Sequence, residues 1–343
     1  MSGEMARDRF LGPANHQNRR VLADLHKVPH RVPLSERSRG RVSTVRVSRS
    51  PSRLRECWVC QDLVMKFREL NAVDLIPGSW MDEALIRPDL WRDQHTRSAA
   101  AVEHDAVVAV GSIWTSRANA TRYWIDIAVD PAYRRRGIGT GLARHLATLR
   151  LNELPFKTRG FVDEPRMRFA DALGARTIQI VPPAIIATDS RIVLRPRPEV
   201  RDARSVEWLA LLEANAHVYE WTHASWSPVA DGFAETVNEG LQDDLDLEAT
   251  SVAIDGEGRI RALAMAYTDT DPPLVTAEAT EPDNDEGERL VEGCVRATLD
   301  VFAARGVDTV QFDGHVSDPH FLPVWARLTP TGTWFRIVEI FPS

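Results

Sequence analysis

The stretch that decides the reading of this chain is Tyr123-Trp124-Ile125-Asp126-Ile127-Ala128-Val129-Asp130-Pro131-Ala132-Tyr133-Arg134-Arg135-Arg136-Gly137-Ile138-Gly139-Thr140-Gly141-Leu142. An apolar strand ends at Val129, Pro131 punctuates a turn, and three arginines lead into a glycine-rich helix start. Glycine lets a backbone approach an anion closely, and the unpaired N–H groups of a first helical turn point at it. The helix dipole and the arginines add positive potential at the same place. The combination suits a pyrophosphate. A dinucleotide loop would read G-x-G-x-x-G directly after the strand. Here Gly137, Gly139 and Gly141 are spaced G-x-G-x-G, and a proline turn intervenes. A Walker loop would end in Gly-Lys-Ser/Thr, which this segment lacks. Both rivals fail on spacing.

The segment resembles the acetyl-coenzyme A motif of the GNAT (Gcn5-related N-acetyltransferase) superfamily: Arg or Gln, two residues, Gly, one residue, Gly or Ala. Arg134, Gly137 and Gly139 fit it, and Ile127 to Pro131 matches the family's strand ending. The resemblance extends over 41–181 in element order, down to Phe169–Gly174 as the closing helix and glycine. It implies an α/β fold, a mixed and mostly antiparallel sheet with flanking helices, and acetyl-coenzyme A as cosubstrate without a metal. It places the pantetheine arm along Ile127, Ala128 and Val129. It places the pyrophosphate on Arg134, Arg135, Arg136, Gly137, Ile138, Gly139 and Thr140.

The implied reaction is direct attack of an amine on the thioester, which requires a neutral amine and so a proton acceptor. Asp126 is the acid on the strand before the motif and the first candidate; an outward or backbone-capping Asp is the structural alternative. Tyr123 is the second, as orienting group or proton relay, with core packing as its other reading. Asp163 and Glu164, after the next strand, are second-choice acids or helix caps. Many relatives place a Tyr four residues before the closing glycine to reprotonate the thiolate; this chain has Ala170 there.

Around the motif, periodicity predicts strands over 42–47, 106–114, 122–129, 156–162 and 177–181, with helices over 53–70, 139–151 and 165–173. Pro182-Pro183 opens a linker to Ser190. The order then recurs: a strand over 192–195, two helical stretches within 202–239, a hairpin over 252–266, a strand at 274–280, a helix at 289–304, then 309–312, 319–328 and a final strand at 334–341. First strand to second hairpin strand spans about 65–70 residues in both halves, so a duplicated α/β unit is the economical account. We expect a tail over 1–40, one GNAT domain over 41–188, and a second, GNAT-like domain over 189–343. The second counterpart of the phosphate loop, Glu281-Pro282-Asp283-Asn284-Asp285-Glu286-Gly287-Glu288-Arg289, is acidic and would repel a pyrophosphate. We read that domain as a degenerate repeat that buttresses the first or shapes its acceptor pocket, with recruitment of a cation as the alternative.

Composition narrows the class. Residues 1–50 hold ten Arg and one Lys against four acids, a net +7 that leaves −14 for the rest of a chain whose total is −7. An acidic body argues against nucleic acid as partner. Residues 1–40 lack the apolar content to offset ordering entropy and read as disordered. No apolar run approaches the roughly 20 residues of a membrane span. Three cysteines give no disulfide framework, which favours the cytoplasm. Cys57-Trp58-Val59-Cys60 has no second ligand pair at zinc spacing. Lysine occurs three times among 42 basic residues (Lys27, Lys66, Lys157), a bias of GC-rich, bacterial coding. Trp208, Tyr219, Trp221 and Trp226 cluster as packing residues or as the lining of a cleft between domains. The expected acceptor is a small-molecule amine, in a monomer or homodimer; an acetyl-coenzyme A sensor without turnover is the other class.

Overall fold

A computed structural model of the chain describes residues 65–267 and 270–342. The expected tail, the strand at 42–47 and the Cys57-Cys60 pair lie outside the described residues.

Two sheets organise the molecule. The first contains β1 (Lys66–Glu69), β2 (Arg97–Glu103), β3 (Ala106–Thr115), β4 (Tyr123–Val129), β5 (Phe156–Phe161) and β6 (Arg176–Val181). Its seventh member is β13 (Phe335–Ile340), and the order is β1-β2-β3-β4-β5-β13-β6. Every pairing is antiparallel except β4 with β5. Because side chains alternate across a strand, Tyr123, Ile125, Ile127 and Val129 face α1 (Ile138–Thr148), whereas Trp124, Asp126 and Ala128 face the other way. Leu142 and Leu146 of α1, Met167 of α2 (Pro165–Ala172), Phe156 and Val338 complete the core on the α1 side.

The second sheet runs β7-β12-β11-β10-β9-β8, from β7 (Ile185–Ala187), β8 (Val200–Asp202), β9 (Ser251–Ile254), β10 (Ile260–Tyr267), β11 (Leu274–Ala279) and β12 (Thr309–Asp313). Again one pair, β11 with β12, is parallel. Its helices are α3 (Trp208–His223), α4 (Phe233–Asn238), α5 (Leu241–Asp244), α6 (Gly287–Ala304) and α7 (Phe321–Arg327). The two units therefore repeat one plan, mixed and mostly antiparallel sheets with flanking helices.

Several local expectations are corrected. The helix expected over 53–70 ends in strand β1 where it is described, because edge pairing with β2 and the stack of Phe67 on His145 outweigh helix propensity. Strand β2 was unexpected: Ala99-Ala100-Ala101 favours a helix locally but is buried between β1 and β3. The strand expected at 192–195 is a 310 turn, Thr188–Val193, with Ile192 exposed; Pro196 and Pro198 delay strand pairing to β8. The largest departure concerns the ends. A cut at 188/189 leaves β7 in the second sheet and β13 in the first, so each part of the chain supplies a strand to the other.

The units also meet face to face. Trp226 packs with Val181, Phe335 and Ile337. Asn119 donates to Ser227 O at 2.7 Å and accepts from Tyr219 Oη at 2.6 Å. Ala230 N–H donates to Ala118 O and Val316 N–H to Ile180 O.

Candidate functional site

The site is built where β4 and β5 part. They pair at only two rungs, Tyr123↔Phe156 and Trp124↔Lys157, whereas β4 pairs with β3 along its whole length. Tyr123 N–H donates to Pro155 O and Asp130 N–H to Val108 O, so odd residues of β4 address β5 and even ones β3. Beyond the second rung the backbone groups of Ile127 and Val129 thus face a gap between two strands. Ala128, expected to share that role, instead turns its backbone to β3 and is buried on the opposite face.

At the gap's end Asp130 accepts from Ala132 N–H at 2.8 Å and starts the Pro131–Tyr133 turn. Arg135 (φ 65°) and Gly137 (φ 80°) both take the left-handed conformation, which brings the chain round into α1. Gly137 is exposed and a Cβ there would meet nothing, so its requirement is backbone geometry. A Cβ on Gly139 would sit tightly against Phe169 at 3.3 Å and in ordinary contact with Val129 at 3.5 Å. The three arginines, expected to act together, divide. Arg134 Nε donates to Val129 O at 2.9 Å and clamps the strand end. Arg136 forks onto Glu103 at 2.6 and 3.3 Å and lies over the Tyr133 ring. Arg135 is exposed and has no side-chain partner among the described residues. Ile138 anchors the turn in the core, and Thr140 sits half-buried one residue on. First-turn N–H groups, a helix dipole, one uncommitted guanidinium and a stretch of β4 unpaired on its β5 side fit a pyrophosphate carrying an extended arm.

The two catalytic candidates are on opposite faces of the sheet. Tyr123 is fully buried toward α1, its Oη 3.0 Å from His95 Nδ1 and accepting from Leu151 N–H at 3.2 Å. Asp126 is buried on the other face, accepting from Leu85 N–H at 2.9 Å and paired with Arg166 at 3.1 Å. The pair ties β4 to α2 across the gap. Glu164, at the start of α2, is half-buried and its carboxyl lies over Gly160; burial pushes its pKa up. Ala170 is core. Lys157 and Arg159 were not singled out from sequence. Both are buried charges on β5, on the Asp126 face, stacked over Trp124 at 4.4 and 4.9 Å. The signal was present: in Phe156-Lys157-Thr158-Arg159-Gly160-Phe161 two cations alternate on a strand otherwise apolar or small.

The second unit has the same fork with different contents. β11 and β12 pair at three rungs, ending at Thr276↔Asp313. Beyond them the Ala279 carbonyl accepts from Trp221 Nε1 at 3.0 Å. A Cβ on Gly287 would fall 2.5 Å from the His320 ring, which itself contacts the carbonyl oxygens of Pro282 (2.9 Å) and Glu281 (3.2 Å). Glu281, Asp283, Asp285, Glu286 and Glu288 stand exposed around that helix start. Among the aromatic cluster, Tyr219 and Trp226 lie at the contact between units, Trp221 in this fork, and Trp208 in the second unit's own core. Among the described residues no group of three His, Cys, Asp or Glu could hold a metal, and no helix is long and apolar enough to cross a membrane.

The site is thus a parted parallel strand pair beside an Arg-Gly helix start, within a mostly antiparallel sheet. Residues 64–158 match the model of the Acetyltransferase (GNAT) family. That match lies within the first unit and ends in β5, so it takes in β4, the Arg-Gly turn and α1. Among solved structures it is similar to a GCN5-related N-acetyltransferase from Sphaerobacter thermophilus, with 14% identity, 72% of this chain and 80% of that one covered, and a TM-score of 0.53. It is also similar to a tandem GNAT protein from the clavulanic acid biosynthesis pathway, with 14% identity, coverage of 71% and 82%, and a TM-score of 0.50. No curated protein matches in sequence.

Proposed function

We propose that the first unit transfers an acetyl group from acetyl-coenzyme A to the amine of a small molecule, and that the second binds no cofactor. The observation that carries this reading is the parting of β4 and β5 beyond Trp124↔Lys157, which leads to an Arg135-Gly137 turn and a helix start whose first N–H groups have no partner within the helix. The backbone groups of Ile127 and the Val129 N–H would hold the pantetheine arm by hydrogen bonds, as an added strand does, with the Val129 carbonyl kept by Arg134. Arg135 and the N–H groups through Thr140 would hold the pyrophosphate. When bound, acetyl-coenzyme A supplies an activated acyl carbon; the chain's share is to orient it, exclude water and manage the acceptor's protons.

Two features support a silent second fork: Trp221 takes the Ala279 carbonyl, and five exposed acids surround the α6 start, three of them paired with Arg261, Arg289 and Arg327 and two, Asp283 and Asp285, in no ion pair among the described residues. An anion there would meet like charge. The second unit then serves as the wall facing Trp124, Asp126 and Lys157, where an acceptor would lie between units. A cytoplasmic protein, monomeric or dimeric, fits this reading. The test is release of free thiol from acetyl-coenzyme A against a panel of amines. Thiol release with none of them, by protein that binds coenzyme A, would favour a sensor instead.

A further inference from the structure

This inference rests on the acetyl-transfer reading and concerns the apex of the same fork. Trp124↔Lys157 is the last rung before the strands part, so these side chains stand at the base of the gap, on the face toward the second unit. Each has a polar atom that its burial leaves poorly served. Trp124 Nε1 is buried and finds no acceptor among the described residues. Buried indole N–H groups ordinarily have one. Lys157 is 2% exposed, with Nζ 3.5 Å from Ser227 Oγ and no ion pair among the described residues.

The acids nearby are engaged elsewhere. Asp126 serves Arg166 and Leu85 N–H. Glu339, opposite Lys157 on β13, holds Arg122 at 2.6 Å and Arg176 at 2.5 Å. The other charged or titratable groups facing Nζ are Arg122 ahead of β4, Arg159 on β5, and His223 of α3, kept neutral by its burial. Burial and then the two guanidinium groups bring the Lys157 pKa down to about 7. A base poised near ambient pH is what proton removal from an ammonium requires.

We propose that Lys157 is the catalytic base for the acceptor, and that the Trp124 indole N–H is the donor that orients that acceptor. The neutral Nζ takes one proton from the acceptor's ammonium and becomes an ammonium over the Trp124 ring face, which favours the cation. The freed amine forms its C–N bond to the thioester carbonyl carbon, and the C–S bond breaks. The second amine proton passes to the departing thiolate, and Lys157 returns its own proton to solvent. One ammonium and one thioester thus give one amide, one thiol and one proton.

The chain has only three lysines, so each Nζ can be followed by NMR in full-length protein with isotope-labelled lysine. One should titrate near neutrality and be absent from Lys157→Met. A Lys157 signal that titrates with the ordinary lysines overturns the proposal. In kinetics, wild-type kcat/KM should rise with pH through a limb near neutrality. Lys157→Met should lose that limb and about 100-fold in rate, with coenzyme A affinity unchanged; Lys157→Gln stands in if the Met variant does not fold. Trp124→Phe should raise KM for the acceptor and keep the limb. Glu164→Gln should also keep it. Turnover by both Lys157 variants with the limb intact overturns this inference alone; a wild type that binds coenzyme A and acetylates no amine overturns the acetyl-transfer reading with it.

Discussion

At the scale of single residues, Lys157 ties charge to stability. Its folded pKa lies below that of an unfolded lysine, so the unfolded chain binds more protons between about pH 7 and the ordinary lysine range. The cost is therefore full below pH 7 and fades as pH rises. Lys157→Met should raise Tm, with a gain on the order of 4 kcal/mol at pH 6 that shrinks steadily towards pH 10. Equal gains at both ends of that range would contradict a neutral buried amine. Asp126→Asn should have the opposite effect, because it breaks the pair with Arg166 that joins β4 to α2. A loss of about 1–3 kcal/mol in chemical denaturation is expected, with the pH limb of the reaction retained. Asp126 drew notice in the sequence as an acid on an apolar strand, and its burial is real. Its ion pair depends on Arg166, 40 residues downstream on another element, which no local pattern announces.

Among elements, the strand–turn–helix from Tyr123 to Thr148 was legible because its signals are local: Pro131, three arginines and glycines at fixed offsets. The division of labour among Arg134, Arg135 and Arg136 was not, since it depends on Val129 O and on Glu103 from a strand that alanine-rich sequence disguised. That division yields a prediction. Arg135→Glu should weaken coenzyme A binding at least tenfold without changing Tm, because its exposed side chain makes no hydrogen bond or ion pair with any other described residue. Arg136→Ala should lower Tm as well, because it strips Glu103, a buried carboxylate, of its partner. If Arg135→Glu binds as tightly as wild type, the turn is not the anchor.

For the molecule as a whole, the exchange of strands makes the two units interdependent. β13 sits between β5 and β6, so the wall of the fork includes the chain's last strand. The sequence 334–341 reads as an ordinary alternating strand; alternation specifies faces and says nothing about which sheet a strand joins. Deletion of 335–343 should therefore abolish coenzyme A binding and cooperative unfolding of the first unit, although the motif lies far upstream. The contact between units also carries two histidines, His223, which is buried, and His315, which is half-buried, both kept neutral chiefly by desolvation. Unfolded histidines take up protons near pH 6.5, so stability should be complete above that pH and fall below it. In thermal melts between pH 5 and 8 the decline should be smaller for His223→Phe than for wild type.

The most direct measurement is calorimetry of coenzyme A with the intact protein, its Gly139→Phe variant and its Gly287→Phe variant. One site per chain is expected in the wild type, lost in Gly139→Phe and unchanged in whatever Gly287→Phe protein folds. Two sites per chain, or a single site that survives at position 139 and disappears at position 287, would contradict that expectation.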